Sequence, residues 1–531
     1  MPTPTTAPIG TTAAPELPFE IVRRILKHRL DLALSFPLSP SDGRVGQTAV
    51  GDEGWEGMPG QMGKKIALAR SKEREDVMRT GKELMRVCKS WKPVVQKYLY
   101  AMPPVSAITL LPFAAAVQLG DTKWDDTRLH PHSVPGRYVA TLDLSTLSDG
   151  YFGPHVTSLS KACAALLPLL PNLTHLKLPG GTGWGIIPCR TILDSPFVGR
   201  LRALEGVQIS DEGDEACVLL KPMRRLEVLS VLGPGSSSVG PSPLPDAVPL
   251  DLPHLHTLTL DGVQRGPLLA ALIASELPNL RRLLITSYDG TVGDLTTAFL
   301  EAHGEKVLSL TFLQTREWPA IHPTPPLDTL ALCPNLLDLA VLLPNPALQQ
   351  KLDFARGLIG ETAKHHPLVS LTLPKWLDRV SASPSASPAP TQPNFPLPHL
   401  DRLSIRTHPP SGNPFLATII SSPPPHLRRI KIDSFSWVSP KLGRAAQQAG
   451  AGGETRVWAV YMSKMGIELL DGEGRGMPAI AEDGGDDAQV GGWLVGARGR
   501  RRSSRGMGMA RMLQSTGGVR RQVEEADEDG G

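Results

Sequence analysis

One spacing of apolar residues runs through most of the chain: an apolar residue, two variable ones, an apolar, one variable, an apolar. It first appears as Val139-x-x-Leu142-x-Leu144. It recurs with its middle apolar residue at Leu142, Leu176, Val207, Leu229, Leu258, Leu283, Leu310, Leu339, Leu371, Leu403 and Ile430. The step is about 29 residues and wanders from about 22 to 34, a period typical of stacked-repeat architectures. Turn phrases announce many copies: LPNL at 170–173 and 277–280, LPHL at 252–255 and 397–400, CPNL at 333–336 and PPHL at 424–427. The proline blocks a preceding helix from running on into the strand. A single such strand cannot bury its apolar side, but stacked copies bury one continuous core. Pro267–Glu276 and Leu295–His303 read as short amphipathic helices between strands. Arg456–Met462 (RVWAVYM) reads as a closing strand. The pattern therefore predicts an α/β array of parallel strands and helices over residues 102–470.

In such an array the residue between the last two apolar positions points to the open face. Those residues are Lys177, Gln208, Ser230, Thr259, Leu284, Thr311, Ala340, Thr372, Ser404 and Lys431, and most are small and uncharged. Basic residues gather toward the end of the array: Arg402, Arg406, Arg428, Arg429 and Lys431. Arg402, Arg406, Arg429 and Lys431 are candidates to contact a target carrying acidic or phosphorylated groups. A solvated strand edge is the plainer alternative.

Ahead of the array the period is helical. In Pro15–Leu34, Ile21, Ile25 and Leu26 recur on one face, with Pro18 at the start and Glu20 in the first turn. A second helical pattern runs from Lys72 to Tyr100 through Val77, Leu84, Cys88, Trp91, Val95 and Leu99, and Pro93 predicts a kink or break near Trp91. Residues 36–71, rich in Pro, Gly and Ser, read as an inserted loop, which costs little closure entropy. Residues 1–14 and 471–531 have the composition of unstructured ends.

Composition narrows the chemistry. A net charge of +3 gives no overall field for nucleic acid or an anionic membrane. The five cysteines are scattered, form no C-x-x-C, and signal neither a disulfide framework nor zinc. The N-terminus lacks a signal-peptide pattern, and no stretch approaches a membrane span. Cytoplasmic and/or nuclear localisation is expected, without a membrane partner. Gly181-Thr182-Gly183-Trp184-Gly185 lacks the Lys-Ser/Thr ending of a phosphate loop and reads as a repeat turn. No nucleophile, metal or kinase motif is present, so no enzyme and no cofactor is expected. Residues 498–521 hold eight arginines and no acid, a pattern suited to nuclear import or, less readily without aromatics, to RNA.

Two resemblances follow from these residues. Leu17-Pro18-Phe19-Glu20-Ile21, then Ile25-Leu26, then Val87-Cys88-Lys89-Ser90-Trp91 resemble the F-box pattern. The array resembles an irregular leucine-rich-repeat solenoid of the kind that follows the F-box in many fungal proteins, although it lacks the usual asparagine after each strand. The resemblance implies a small helical F-box bundle at 15–101 that binds the Skp adaptor of a cullin ubiquitin-ligase core. By position, Leu17, Pro18, Ile21, Ile25, Leu26, Val87, Cys88 and Trp91 would make that contact. It further implies a non-catalytic substrate-recognition adaptor whose repeats hold a target protein. A repeat scaffold independent of ubiquitin ligases, with the helices as an N-terminal cap, is the alternative.

Overall fold

The computed structural model describes residues between 78 and 478, apart from 126–134, 149–154, 180–188, 210–213, 234–246, 287–294, 314–324, 342–355, 359–364, 374–413, 438–449 and a few isolated positions. Residues 1–77 and 479–531 lie outside it, and with them the helix expected at Pro15–Leu34, the loop at 36–71 and the arginine-rich tail.

Helix α1 (78–86) and α2 (Trp91–Ala101) divide the Lys72–Tyr100 pattern at the expected place. Pro93 falls in the first turn of α2, where its missing N–H leaves no bond unmade. Val94 and Val95 are buried there, with Leu84, Met85, Trp91, Tyr98 and Leu99 packed around them. Helix α3 (Leu110–Asp125) follows, placing Leu110, Ala114 and Val117 against the main core.

From there the chain builds one parallel sheet whose strands pair strictly in chain order. They are β1 (Thr141–Asp143), β2 (His175–Lys177), β3 (Ala203–Gln208), β4 (Val228–Leu232), β5 (Thr257–Asp261), β6 (Arg282–Thr286), β7 (Ser309–Leu313), β8 (Asp338–Val341), β9 (Ser370–Leu373), β10 (Arg429–Ile432) and β11 (Glu468–Leu470). Helices α4 (His155–Leu166), α5 (Cys189–Leu193), α6 (Asp214–Leu220), α7 (Pro267–Ala274), α8 (Thr296–His303), α9 (Thr329–Leu332), α10 (Pro414–Ser421) and α11 (Gly450–Lys464) stand between successive strands.

The apolar spacing explains the register. Leu229, Leu258, Leu283, Leu310, Leu339 and Leu371 pair in one row, each almost wholly buried. Fully burying each such leucine stabilises the fold by roughly 1.5–3 kcal/mol. Just ahead of the strands, one backbone carbonyl per repeat accepts two N–H groups from the next. Arg202 O accepts from Glu227 and Val228 at 2.6 and 3.0 Å, and His256 O from Arg281 and Arg282 at 3.0 and 2.9 Å. The turn phrases do more than turn the chain. Asn172, Asn279 and Asn335 donate through Nδ2 to Arg137 O, Pro253 O and Glu305 O of the preceding repeat, at 2.7, 2.6 and 2.8 Å. The tie between repeats thus comes from an asparagine before the strand, where the sequence pattern marked one missing after it.

Five expectations need correction. First, the third copy is shifted by three residues, so that Leu204 and not Val207 takes the middle place. Leu204 pairs with Leu176 and Leu229, and a bulge follows, so that Val207 pairs with Val231 and Gln208 with Leu232. Gly206 makes the bulge possible: its φ is +77°, and a Cβ there would sit 2.7 Å from Leu178 O. Second, β9 pairs directly with β10, and the copy expected at 400–405 lies outside the described residues. Third, Arg456–Met462 belongs to helix α11. Its buried residues Thr455, Trp458, Ala459 and Met462 recur at helical spacing while Val457 and Val460 face outward, and the closing strand is Glu468–Leu470. Fourth, α7 is not amphipathic. Leu268, Leu269, Ala270, Ala271 and Leu272 are all buried, because α6 and α8 flank it and Leu268, Leu269, Ala271 and Leu272 join the same core as the strand leucines.

The fifth concerns the end of the array. Residues 471–478, expected in the unstructured tail, form a clasp. Asp471 is fully buried and accepts from Arg475 N–H at 2.8 Å, Nε at 3.0 Å and Nη2 at 2.9 Å. The Trp437 indole N–H donates to Arg475 O at 2.9 Å, Gly472 N–H donates to Phe435 O at 2.7 Å, and Leu470 bridges to Gly476. The far edge of β11 is covered in this way rather than left open to pair with another chain.

Candidate functional site

Outside the apolar rows, the sheet presents in-register rows of variable residues on its open face. Near the C-terminal ends of the longer strands this face is closed. Leu284 and Thr311, expected to point into the open, are each only 7% exposed, and Asp261, Thr286 and Leu313 beside them are also buried. Five-residue strands in register set these side chains about 4.8 Å apart, close enough to cover one another. Thr286 Oγ1 accepts from Gly262 N–H at 3.0 Å and donates to Asp261 Oδ1 at 3.3 Å, so the polar groups there satisfy each other. Lys177, Ser230, Thr259, Ala340, Thr372 and Lys431 stand in the expected row and are partly exposed. Ser404 lies outside the described residues.

Accessible chemistry concentrates at the N-terminal ends of the strands. In the first half of the sheet the charges meet their opposites. Arg202 and Glu227 lie 3.5 Å apart, partly exposed and therefore weakly coupled. His175 and His256 flank them; burial lowers the pKa of each, while Glu227 opposes that shift. The second half differs. Arg281, Leu308, Leu337, Val369 and Arg428 form one backbone ladder, each N–H donating to the previous residue's carbonyl at 2.8, 2.8, 2.8 and 2.9 Å. The next row is Arg282, Ser309, Asp338, Ser370 and Arg429. Burial raises the pKa of Asp338, opposed by Arg429, by a hydrogen bond with Ser370 and by Arg282. Two arginine pairs therefore frame an aliphatic stretch with one carboxyl at its centre.

Of the four target-contact candidates, Arg429 and Lys431 stand on this face, while Arg402 and Arg406 lie outside the described residues. Arg281 and Arg282 went unnoticed in the sequence. The signal was there: Leu280-Arg281-Arg282-Leu283 and Leu427-Arg428-Arg429-Ile430 are the same phrase at the same point of the repeat. Of the expected adaptor contacts, Trp91 opens α2 and is partly buried. Leu17, Pro18, Ile21, Ile25, Leu26, Val87 and Cys88 lie outside the described residues.

Burial pushes the Cys163 and Cys333 thiols up to about 12, far from a reactive thiolate. His303 and His366 are buried, and each ring Nε2 lies 2.9 Å from a backbone carbonyl, of Leu272 and Cys333 respectively. An acceptor there assigns the proton to Nε2 and makes both rings struts between repeats. Among the described residues no three His, Cys, Asp or Glu side chains could share a metal ion, and no helix is long and apolar enough to cross a membrane. Compared with known proteins, the chain matches no family model, and a search of curated proteins finds no match.

Proposed function

We propose that the chain is a substrate receptor of an SCF-type cullin ubiquitin ligase, non-catalytic itself and acting in the cytoplasm or nucleus. Its N-terminal F-box-like segment binds the Skp adaptor, and its leucine-rich-repeat-like solenoid holds a target protein for ubiquitination. One observation carries the reading: the LP-x-E-I, I-L and V-C-x-x-W residues between 17 and 91 immediately precede a parallel stack with an accessible open face. The receptor lowers the entropy cost of transfer by holding the target near the charged ubiquitin carrier, and needs no reactive side chain of its own.

A second reading is supported by the junction. Ala140 N–H donates to Ala101 O at 2.9 Å, and α3 buries Leu110 and Val117 in the stack's core, so the helices also serve as an N-terminal cap. A scaffold with no ligase partner would need nothing more. Affinity capture of the full chain with purified Skp and cullin subunits separates the two. Recovery of the adaptor, abolished by Ile21→Asp and Leu26→Asp, supports the receptor. Failure of the unmodified chain to recover it leaves the scaffold.

A further inference from the structure

We propose that the open face between β6 and β10 binds a short peptide segment carrying an acidic residue at each end of an aliphatic stretch. This deepens the receptor reading: it rests on that reading for the role of the face, and adds the chemistry of the target. The carrying observation is the ladder that joins Arg281 to Arg428 through Leu308, Leu337 and Val369. Both arginines are exposed, and Leu337, midway between them, is 38% exposed, an uncommon place for a large apolar side chain on a polar sheet face.

Charge complementarity selects the occupant. Arg281, Arg282, Arg428 and Arg429 outnumber the carboxyls of Asp338, which Arg282 and Arg429 already face, and of Glu468, which pairs in register with Arg429 on β11. The excess is local, since the whole chain carries only +3 and the first half of the face pairs Arg202 with Glu227. Arginine favours carboxylates through its forked, two-point geometry. Distance sets the length of the ligand. Four strand-to-strand steps of about 4.8 Å separate the arginine pairs by roughly 19 Å. An extended chain covers that span in about six residues at roughly 3.3 Å each. A bare polyanion would satisfy the arginines and leave Leu308, Leu337 and Val369 against water. A purely aliphatic segment would offer no carboxylate to the exposed Arg281 and Arg428. Only a segment with both features matches both rows.

The probe is a dye-labelled seven-residue peptide with glutamate at each end and leucine or valine between, titrated with the full chain by fluorescence anisotropy. The expected result is saturable binding that weakens at least ten-fold in an Arg281→Ser, Arg428→Ser double variant and several-fold in Leu337→Ser. Replacing the terminal glutamates by lysine, or the aliphatic middle by serine, should also weaken it at least ten-fold. Unchanged circular dichroism and thermal midpoint of the variants separate loss of the face from loss of the fold. Absence of binding by the unmodified chain overturns the proposal. So does equal affinity for the serine-cored peptide, or tighter binding of a single-stranded RNA or of anionic vesicles than of the probe. Adaptor capture by the same variants distinguishes the two readings. A chain that recovers the adaptor but ignores the probe loses this inference alone; one that binds the probe but never the adaptor loses the ligase reading alone.

Discussion

The helix pair α1–α2 and the strand stack behind it bury apolar surface in opposite ways. Among the described residues of the pair, Val94 and Val95 are the buried hydrophobic side chains, ringed by half-exposed neighbours. In the stack, a single core runs unbroken from Val105 to Leu469. Every strand finds its partner in the next copy of itself, so each repeat supplies the surface its neighbour needs. Among the described residues the pair contributes these two buried valines, and its C-terminal end is tied to the stack by the Ala140 N–H to Ala101 O bond and by Tyr100 stacked on Phe113.

Breaking the stack should therefore cost most. Leu310→Ala, in the fully buried row at the middle of the sheet, is expected to destabilise by about 2–5 kcal/mol, read as a lower urea midpoint by circular dichroism. Asp471→Ala attacks the stack at its end, removing an acceptor of several hydrogen bonds from Arg475. About 2 kcal/mol should be lost, with faster proteolysis after residue 464. Val95→Ala probes the other side of the comparison. It should cost about 1 kcal/mol and expose α1–α2 to protease while the midpoint of the stack stays unchanged. Asn279→Ala removes one tie between repeats and should lower the stack's stability by roughly 0.5–1 kcal/mol.

Mild acid gives the smallest effect and the most selective one. Burial lowers the pKa of His175, His256, His303 and His366, and all four lie in the stack. The unfolded chain then takes up protons first, so their contribution is fully present above pH ~6.5 and is lost as pH falls toward the folded-state values. Asp338 has the opposite sign: with its pKa raised by burial, the fold protonates first and gains as pH drops through the carboxylate range. A urea midpoint that stays flat from pH 7.5 to 5.5 would contradict the histidine assignment. A shallower slope in His303→Gln would support it.

Most of the sheet was legible because burial imposes one spacing on every copy. Leu142, Leu176, Leu229, Leu258, Leu283, Leu310, Leu339, Leu371 and Ile430 all pair in register as the pattern requires. It failed where the spacing was ambiguous. Val457-Trp458-Ala459-Val460 is apolar throughout, so period alone separates neither strand from helix. In β3 both Leu204 and Val207 are apolar and suit the middle position, and only the backbone at Gly206 decides between them. The arginine frame was half legible. Each Arg-Arg pair stands plainly in the sequence, but counting Leu403 as a strand would have set the pairs one strand too far apart.

The direct pairing of β9 with β10 gives the molecule a seam. Ser370 meets Arg429 and Leu371 meets Ile430 across a chain separation far longer than at any other step of the sheet. Lateral hydrogen bonds and the shared core hold the two sides together there. Two stretches far apart along the chain thus meet edge to edge, and what joins them is pairing and packing rather than sequence proximity.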